Sequence, residues 1–433
     1  MSISRTDEAR LQRFFIFVNH EQFLKTQHIN YKTKIMKIKL LFIAVCATMM
    51  ACNNQNLATN RIELPGTVEN DAFAANVESI SVMNLEMVDD WTLANDILLG
   101  LSDNYIYVLG NSQLRLMCFD RQTGEKLSAR TIKGNGLSEI NYLNSMFCIG
   151  DTLCVYDVNG IIRQYNQNCS FLGKLHKFNN VNYNDNLLRL DNGNYAAISF
   201  LNLSNDTSKY SILLLDKSFN IKSRHFAVQR SQHISHLGSA RHYYANGDTI
   251  RFFLSCDTHL YTLCDDDEQC IELGLPNPVT PEIANNAVKS NSTRELSKKY
   301  DGLFGFLSES GRFILFGYLI DNEVLMTLLD KHTNDVVSTK YVENEEVSTS
   351  NIVARFFRTP SIFQTDGKFI YAKCGNRFMA ELLEGHDNLL DDRLKKTQAE
   401  YRAYLERNAE YLKGLEPEER EVANLLLKIK LKD

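Results

Sequence analysis

The side chains best able to do chemistry in this chain are histidines, and their densest group is His233-x-x-His236 followed by His242, with Arg230 and Arg241 beside them. Imidazoles at such spacing can hold a transition metal or carry protons. No paired carboxylate stands near, so the stretch reads as a polar loop and no metal is expected. Asp265-Asp-Asp-Glu268 offers oxygen ligands but lacks the alternating spacing and closing Glu of a calcium loop, and it reads as a solvated hairpin turn. Gly134-Asn-Gly136-Leu-Ser-Glu139 superficially suggests a phosphate-binding loop, yet it has no third glycine and no following helix, which leaves a turn between elements. There is no G-x-S-x-G elbow and no Ser, His and Asp in a triad order. Arg355-Phe356-Phe357-Arg358 is a second polar and aromatic grouping. Together with Arg230, His233, His236, Arg241 and His242 it makes the candidate ligand-binding set, against the plainer reading of rim residues that bridge neighbouring elements. No catalytic residue and no cofactor is assigned.

Cys52 has a different chemistry. Met36-Lys-Ile-Lys precedes an apolar run from Leu40 through Met50, too short for a permanent membrane span, and Met49-Met50-Ala51-Cys52 resembles the bacterial lipobox with Met in place of the usual Leu. This predicts a signal peptide over 36–51, with Cys52 lipidated and first in the mature chain. Residues 1–35, with six Lys and Arg against three Asp and Glu, read as an upstream translation artefact or disordered leader. A polar tether is expected over 52–75. Past Cys52 the chain holds 39 Lys and Arg against 50 Asp and Glu, a charge of −11, so lipid rather than electrostatic adhesion would hold it to a membrane. No basic stripe with interleaved aromatics is present, which excludes a nucleic-acid partner. Eight cysteines remain downstream without a C-x-x-C pair or zinc spacing, and most read as small buried hydrophobes. Cys264 and Cys270 flank the acidic turn closely enough to pair across a hairpin, a register the sequence leaves open.

The elements that must position these groups are short strands. Asp103-Asn104, Gly150-Asp151, Asn192-Gly193, Asn246-Gly247, Ser310-Gly311 and Asp366-Gly367 each separate two β-rich runs, at intervals from the low forties to the low sixties of residues. Such dipeptides supply the backbone of tight hairpins, and the interval is that of a propeller blade. Asp120 to Gly124, Asp216 to Asn220 and Asp330 to Asn334 repeat a second turn in which Asp accepts from turn amides and Gly or Asn takes the left-handed position, joining the third and fourth strands of a blade. The ends depart from this pattern. A helix with one apolar stripe is expected over about 391–415, Leu427-Lys-Ile-Lys-Leu-Lys432 alternates as a strand with a Lys outer face, and Val77 to Met87 is an orphan strand before the first blade. Both ends are expected to complete the sixth blade. The fold class is all-β: one six-bladed β-propeller with four-stranded blades over 76–433, including the helix and a closing strand over about 422–432.

Asp120-Arg-Gln-Thr-Gly124-Glu-Lys, Lys133-Gly-Asn-Gly-Leu-Ser-Glu139, Gly247-Asp-Thr-Ile-Arg-Phe-Phe with His259-Leu-Tyr261, and the ending from Ala423 to Lys432 resemble the TolB-like six-bladed β-propeller lipoproteins of Bacteroidota, over essentially all of 52–433. Leu137 and Ser138 replace the family's Pro and Gly, which predicts a looser link between blades 1 and 2. The resemblance implies a cell-envelope lipoprotein, in a family mostly without assigned chemistry. The expected function is a non-catalytic, membrane-tethered propeller that binds a peptide, protein or glycan at its channel mouth. It would be a monomer on the outer membrane, facing the periplasm because no acidic cluster follows Cys52. A periplasmic hydrolase or lyase of the same fold, or a purely structural envelope component, are the alternatives.

Overall fold

Each of the six turn dipeptides joins two antiparallel strands. The computed structural model describes residues 59–65, 68–86, 97–110, 114–178, 186–198, 210–227, 243–253, 258–280, 282–283, 286–287, 290, 295–321, 323–340, 348–358, 363–374, 379, 390–414 and 425–433. Blade 1 comprises β3 (Ile97–Leu101), β4 (Tyr105–Gly110), β5 (Arg115–Asp120) and β6 (Lys126–Thr131), and blade 2 comprises β7 (Leu143–Ile149), β8 (Thr152–Asp157), β9 (Ile161–Tyr165) and β10 (Phe171–Lys177). Blade 3 is β11 (Asn186–Arg189), β12 (Tyr195–Ile198), β13 (Tyr210–Leu215) and β14 (Ile221–Ala227). Blade 4 holds β15 (Tyr243–Asn246), β16 (Thr249–Phe253), β17 (His259–Cys264) and β18 (Asp267–Gly274), and blade 5 holds β19 (Gly302–Ser310), β20 (Phe313–Ile320), β21 (Glu323–Asp330) and β22 (Val336–Lys340). Central strands are apolar on both faces because blades stack on both sides; all eight residues of β20 are buried.

The sixth blade is built from both ends of the chain. Its order is β23 (Phe363–Thr365), β24 (Ile370–Cys374), β25 (Leu425–Leu431) and β2 (Val77–Asn84), every neighbour antiparallel. Ile429 stands between Ile370 and Ile80 in this ladder, and Leu425, Leu427, Ile429 and Leu431 are fully buried. The C-terminal strand is therefore third in its blade, with β2 outside it. The expected Lys outer face is correspondingly half covered: Lys428 Nζ lies 3.8 Å from the centre of the Phe369 ring, and Lys430 pairs with Glu78 at 2.6 Å.

Residues 59–75 were expected within a tether and are instead folded onto the ring. β1 (Thr59–Glu63) adds in parallel to the outer edge of blade 4, Thr59 opposite Cys270. The amide of Glu69 then donates to Ser338 O of blade 5, and α1 (Asn70–Ala75) buries Phe73 completely before β2 begins. Phe73 supplies the anchor that a tether lacks. A helical turn α2 (Leu296–Lys299) precedes blade 5, and α3 (Thr349–Arg358) follows it. The C-terminal helix is divided at Asn408 into α4 (Asp392–Arg407) and α5 (Ala409–Lys413). Asp391 caps it by accepting from Leu394 N at 3.0 Å, and Leu394, Tyr401 and Tyr404 fill the apolar space beside blade 6.

Two local expectations change. The link between blades 1 and 2 is tightly held: Arg163 Nε donates to Leu137 O at 3.0 Å, Tyr165 Oη donates to Ser138 O at 2.8 Å, and Gly136 N donates to Glu139 Oε2 at 2.9 Å. The next element is a strand, as a turn between blades requires. The second turn motif holds in its Asp, with Asp120, Asp216 and Asp330 each accepting from backbone amides. Gly124 and Asn334 take positive φ, whereas in blade 3 Phe219 does so (φ 65°) in place of Asn220. Its ring stacks between Tyr195 at 4.3 Å and His176 at 4.4 Å, and this packing offsets the unfavourable backbone. Cys118, Cys148, Cys154, Cys169 and Cys264 are free thiols, and Tyr261, not Cys264, lies opposite Cys270.

Candidate functional site

The six innermost strands converge on a cavity of about 260 Å³, and every blade contributes to its wall. Gly100 of β3, Ser145 of β7, Arg189 of β11, Tyr243 of β15, Ser308 of β19 and Gln364 of β23 stand around it. The lining is mixed, with hydroxyl and amide side chains beside Leu101, Met146, Phe147, Leu188 and Leu307. Asp191 and Asp366, at the first turns of blades 3 and 6, close one end.

Charges at the margin of this channel are mostly paired between blades. Arg121, in the last turn of blade 1, reaches Asp366 of blade 6 and donates to Tyr371 Oη at 2.9 Å, with its guanidinium 5.5 Å from the tyrosine ring centre. Glu309 is 2% exposed at the junction of blades 4 and 5. It accepts from Tyr244 Oη at 2.6 Å and Asn246 Nδ2 at 2.8 Å, and it pairs with Arg251 and Lys331. Burial acts to raise the Glu309 carboxyl, but the Arg251 charge and the hydrogen bonds from Lys331 and Tyr244 outweigh it and hold the group below the usual carboxylate range. The Tyr244 hydroxyl is pushed well above its ordinary value, chiefly by burial. In blade 2 the fully buried Asp157 pairs with Arg163 and accepts from two turn amides. These carboxylates are committed to holding blades and turns.

None of the sequence-derived candidates is among the described side chains. Arg230, His233, His236, Arg241 and His242, like Cys52, fall outside the described residues. Arg355, Phe356, Phe357 and Arg358 form the last turn of α3, in the connection from blade 5 to blade 6, where the backbone alone is described. α3 lies between the outer strand β22 and the inner strand β23, as the 133–142 link lies between β6 and β7. Among the described residues, no group of three or more His, Cys, Asp or Glu is placed to hold a metal ion. The acidic turn instead ties blade 4 to blade 3: Asp266 accepts from Ser223 Oγ at 2.6 Å, and His225 lies between Asp266 at 3.2 Å and Glu268 at 3.0 Å. The channel residues were missed although their signal was present. Inner strands are the runs that precede each first turn, so Arg189 and Gln364 could have been located by counting back from Asn192-Gly193 and Asp366-Gly367.

Residues 51–360 match the family model described as a 6-bladed beta-propeller, DUF5128, which is more than half of the chain. The chain belongs to this family. The match runs through blade 5, and the strands β23, β24 and β25 that close this six-bladed propeller lie beyond it. Among solved structures, a Bacteroides fragilis protein described as a candidate exported protein is similar at a TM-score of 0.61 and 16% identity, over 87% of this chain and 100% of that one. A DUF4221 member from Bacteroides vulgatus is similar at a TM-score of 0.46 and 8% identity, over 82% and 97%. The likeness to the B. fragilis protein speaks of fold alone. No curated protein matches the sequence.

Proposed function

We propose that this propeller is a TolB-like cell-envelope lipoprotein, tethered through Cys52 to the outer membrane and facing the periplasm, and that it binds a peptide, protein or glycan at its channel mouth without catalysing a reaction. The observation that carries the binding role is the central cavity, lined from all six inner strands by hydroxyls, amides and apolar side chains, with Arg189, Asp191 and Asp366 as its charged groups. Of the two carboxylates in the cavity wall, Asp366 is already neutralised by Arg121, which supports a non-catalytic reading, and Asp191 is the other. A general acid or base needs a carboxyl free to change its proton near the working pH. The envelope assignment rests on the signal-like 36–51 run ending at Cys52, and the candidate exported description of the B. fragilis relative accords with it.

The test has two arms. Cys52→Ser should abolish lipid attachment and move the protein to a soluble fraction; recovery with membranes after a salt wash counts against the anchor. Capture from native envelopes with the wild-type chain and with a channel-lining variant tests the binding role, since a partner held equally by both is not bound through the channel.

A further inference from the structure

Several arginines near the ring are matched to carboxylates. Arg121 pairs with Asp366, Arg163 with Asp157, Arg251 with Glu309, Arg312 with Asp330 and Arg393 with Asp391. Arg189 pairs with none among the described residues, although it lies in the channel wall and is half-buried. Its described partner is the neutral Tyr195 hydroxyl, which sits opposite it in the β11–β12 ladder. A guanidinium has five donors in a planar fork, so one neutral hydroxyl leaves most of them unused, and Asp191 is a further charged group of the same wall. Three residues earlier on the same strand, Asn186 also lines the cavity, and its side-chain amide has no partner among the described residues.

From this unspent pair we infer that the channel is a binding site for a sugar acid, with its carboxylate received by Arg189 and its hydroxyls by the amide and hydroxyl groups around it. The inference deepens the proposed binding role and rests on it. A carboxylate matches the planar fork by two parallel hydrogen bonds. Asn186, Ser145, Ser308 and Gln364 can exchange hydrogen bonds with the hydroxyls of a sugar ring, and Leu188, Met146 and Leu307 of the same lining can cover its C–H faces. At about 260 Å³ the cavity is just below the roughly 300–1,000 Å³ of clefts that take drug-sized molecules, which fits one sugar ring. A peptide carboxy terminus carries the same charged group, and a dipeptide is therefore one arm of the test.

Titration calorimetry on the full chain with glucuronate, glucose, inorganic phosphate and alanyl-alanine separates these sources. Glucuronate should bind most tightly, with glucose, phosphate and the dipeptide each weaker by about tenfold or more. Arg189→Gln should weaken glucuronate by a similar factor while leaving the ligand-free melting temperature unchanged, and Arg189→Lys should fall between. Should Arg189→Gln melt early, Asn186→Ala decides, and an unchanged glucuronate affinity in that variant overturns the site. No heat with glucuronate at millimolar concentration, equal binding of glucose, or tighter binding of phosphate or the dipeptide each overturns the inference. Capture of an envelope partner is independent of these titrations and decides the broader binding role, so the two can fail separately.

Discussion

At the scale of single residues, Glu309 shows how a propeller without disulfides among its described cysteines joins neighbouring blades. Its carboxylate is nearly inaccessible, receives Tyr244 and Asn246 of blade 4, and compensates both Arg251 of blade 4 and Lys331 of blade 5. Glu309→Gln would leave two cations facing a neutral group, and removing one partner of a buried pair costs about 3 to 5 kcal/mol. Because the folded carboxyl titrates below its unfolded value of about 4.3, its stabilisation is fully present above that pH and is lost as the pH falls through the folded value. Chemical denaturation should therefore show the variant less stable at pH 7 by that amount, with the gap closing under acid conditions; a gap independent of pH would refute the assignment. The thiols behave oppositely. Burial pushes Cys118 and Cys154 up to about 12, so little thiolate exists near neutrality. Mass spectrometry after iodoacetamide treatment at pH 8 should find both unmodified in the native chain and alkylated in denaturant, and native labelling would contradict their burial.

At the scale of elements, what was legible in the sequence was local. Turn dipeptides and the Asp at the end of a third strand act through their own backbone and mark blades wherever they occur, which is why all six first turns and the closing role of both termini could be read. Long-range covering was not legible. The Leu-Lys alternation of β25 is the pattern of a strand with one wet face, but β2 and β24 flank it and Phe369 rises over Lys428, so the face is only half wet. Burial accordingly lowers the Lys428 ammonium below its ordinary value. Residues 59–75 looked like a tether for a related reason, since β1 has too few apolar residues to announce itself and is held by pairing with β18. Phe219 shows the limit for turns, because its stacking partners Tyr195 and His176 come from other strands. The channel was hidden for a simpler cause: inner-strand polar residues have no spacing of their own. Lys428 and Lys432 provide the comparison that tests this account. Replacement of Lys428 by Gln should cost about 1 to 2 kcal/mol through the lost contact with the Phe369 ring, while Lys432→Gln, at an exposed position, should stay within about 0.5 kcal/mol. Equal melting temperatures for the two variants would return β25 to the simple two-faced strand.

At the scale of the whole molecule, the two ends of the chain differ in what they hold. β1 adds a fifth strand to a blade already complete, and its apolar contribution is Ile62 followed by Leu64. β25 is internal to blade 6, and its loss would leave β24 and β2 without the partner that joins them. Burying Leu425, Leu427, Ile429 and Leu431 is worth about 1.5 to 3 kcal/mol each, a total comparable with the roughly 5 to 15 kcal/mol of a whole folded protein. β25 covers the facing edges of β24 and β2, so the same truncation exposes two strand edges that invite pairing with other chains. Ending the chain at Glu421 should therefore give aggregated material on size exclusion and no cooperative melt. Starting it at Leu64 should preserve a monomer whose melting temperature falls by a few degrees. If the chain ending at Glu421 stayed monomeric and melted as the full chain does, closure by the C-terminal strand would not be what keeps the ring together, and the strap of β1, α1 and β2 would have to hold blades 4 to 6 by itself.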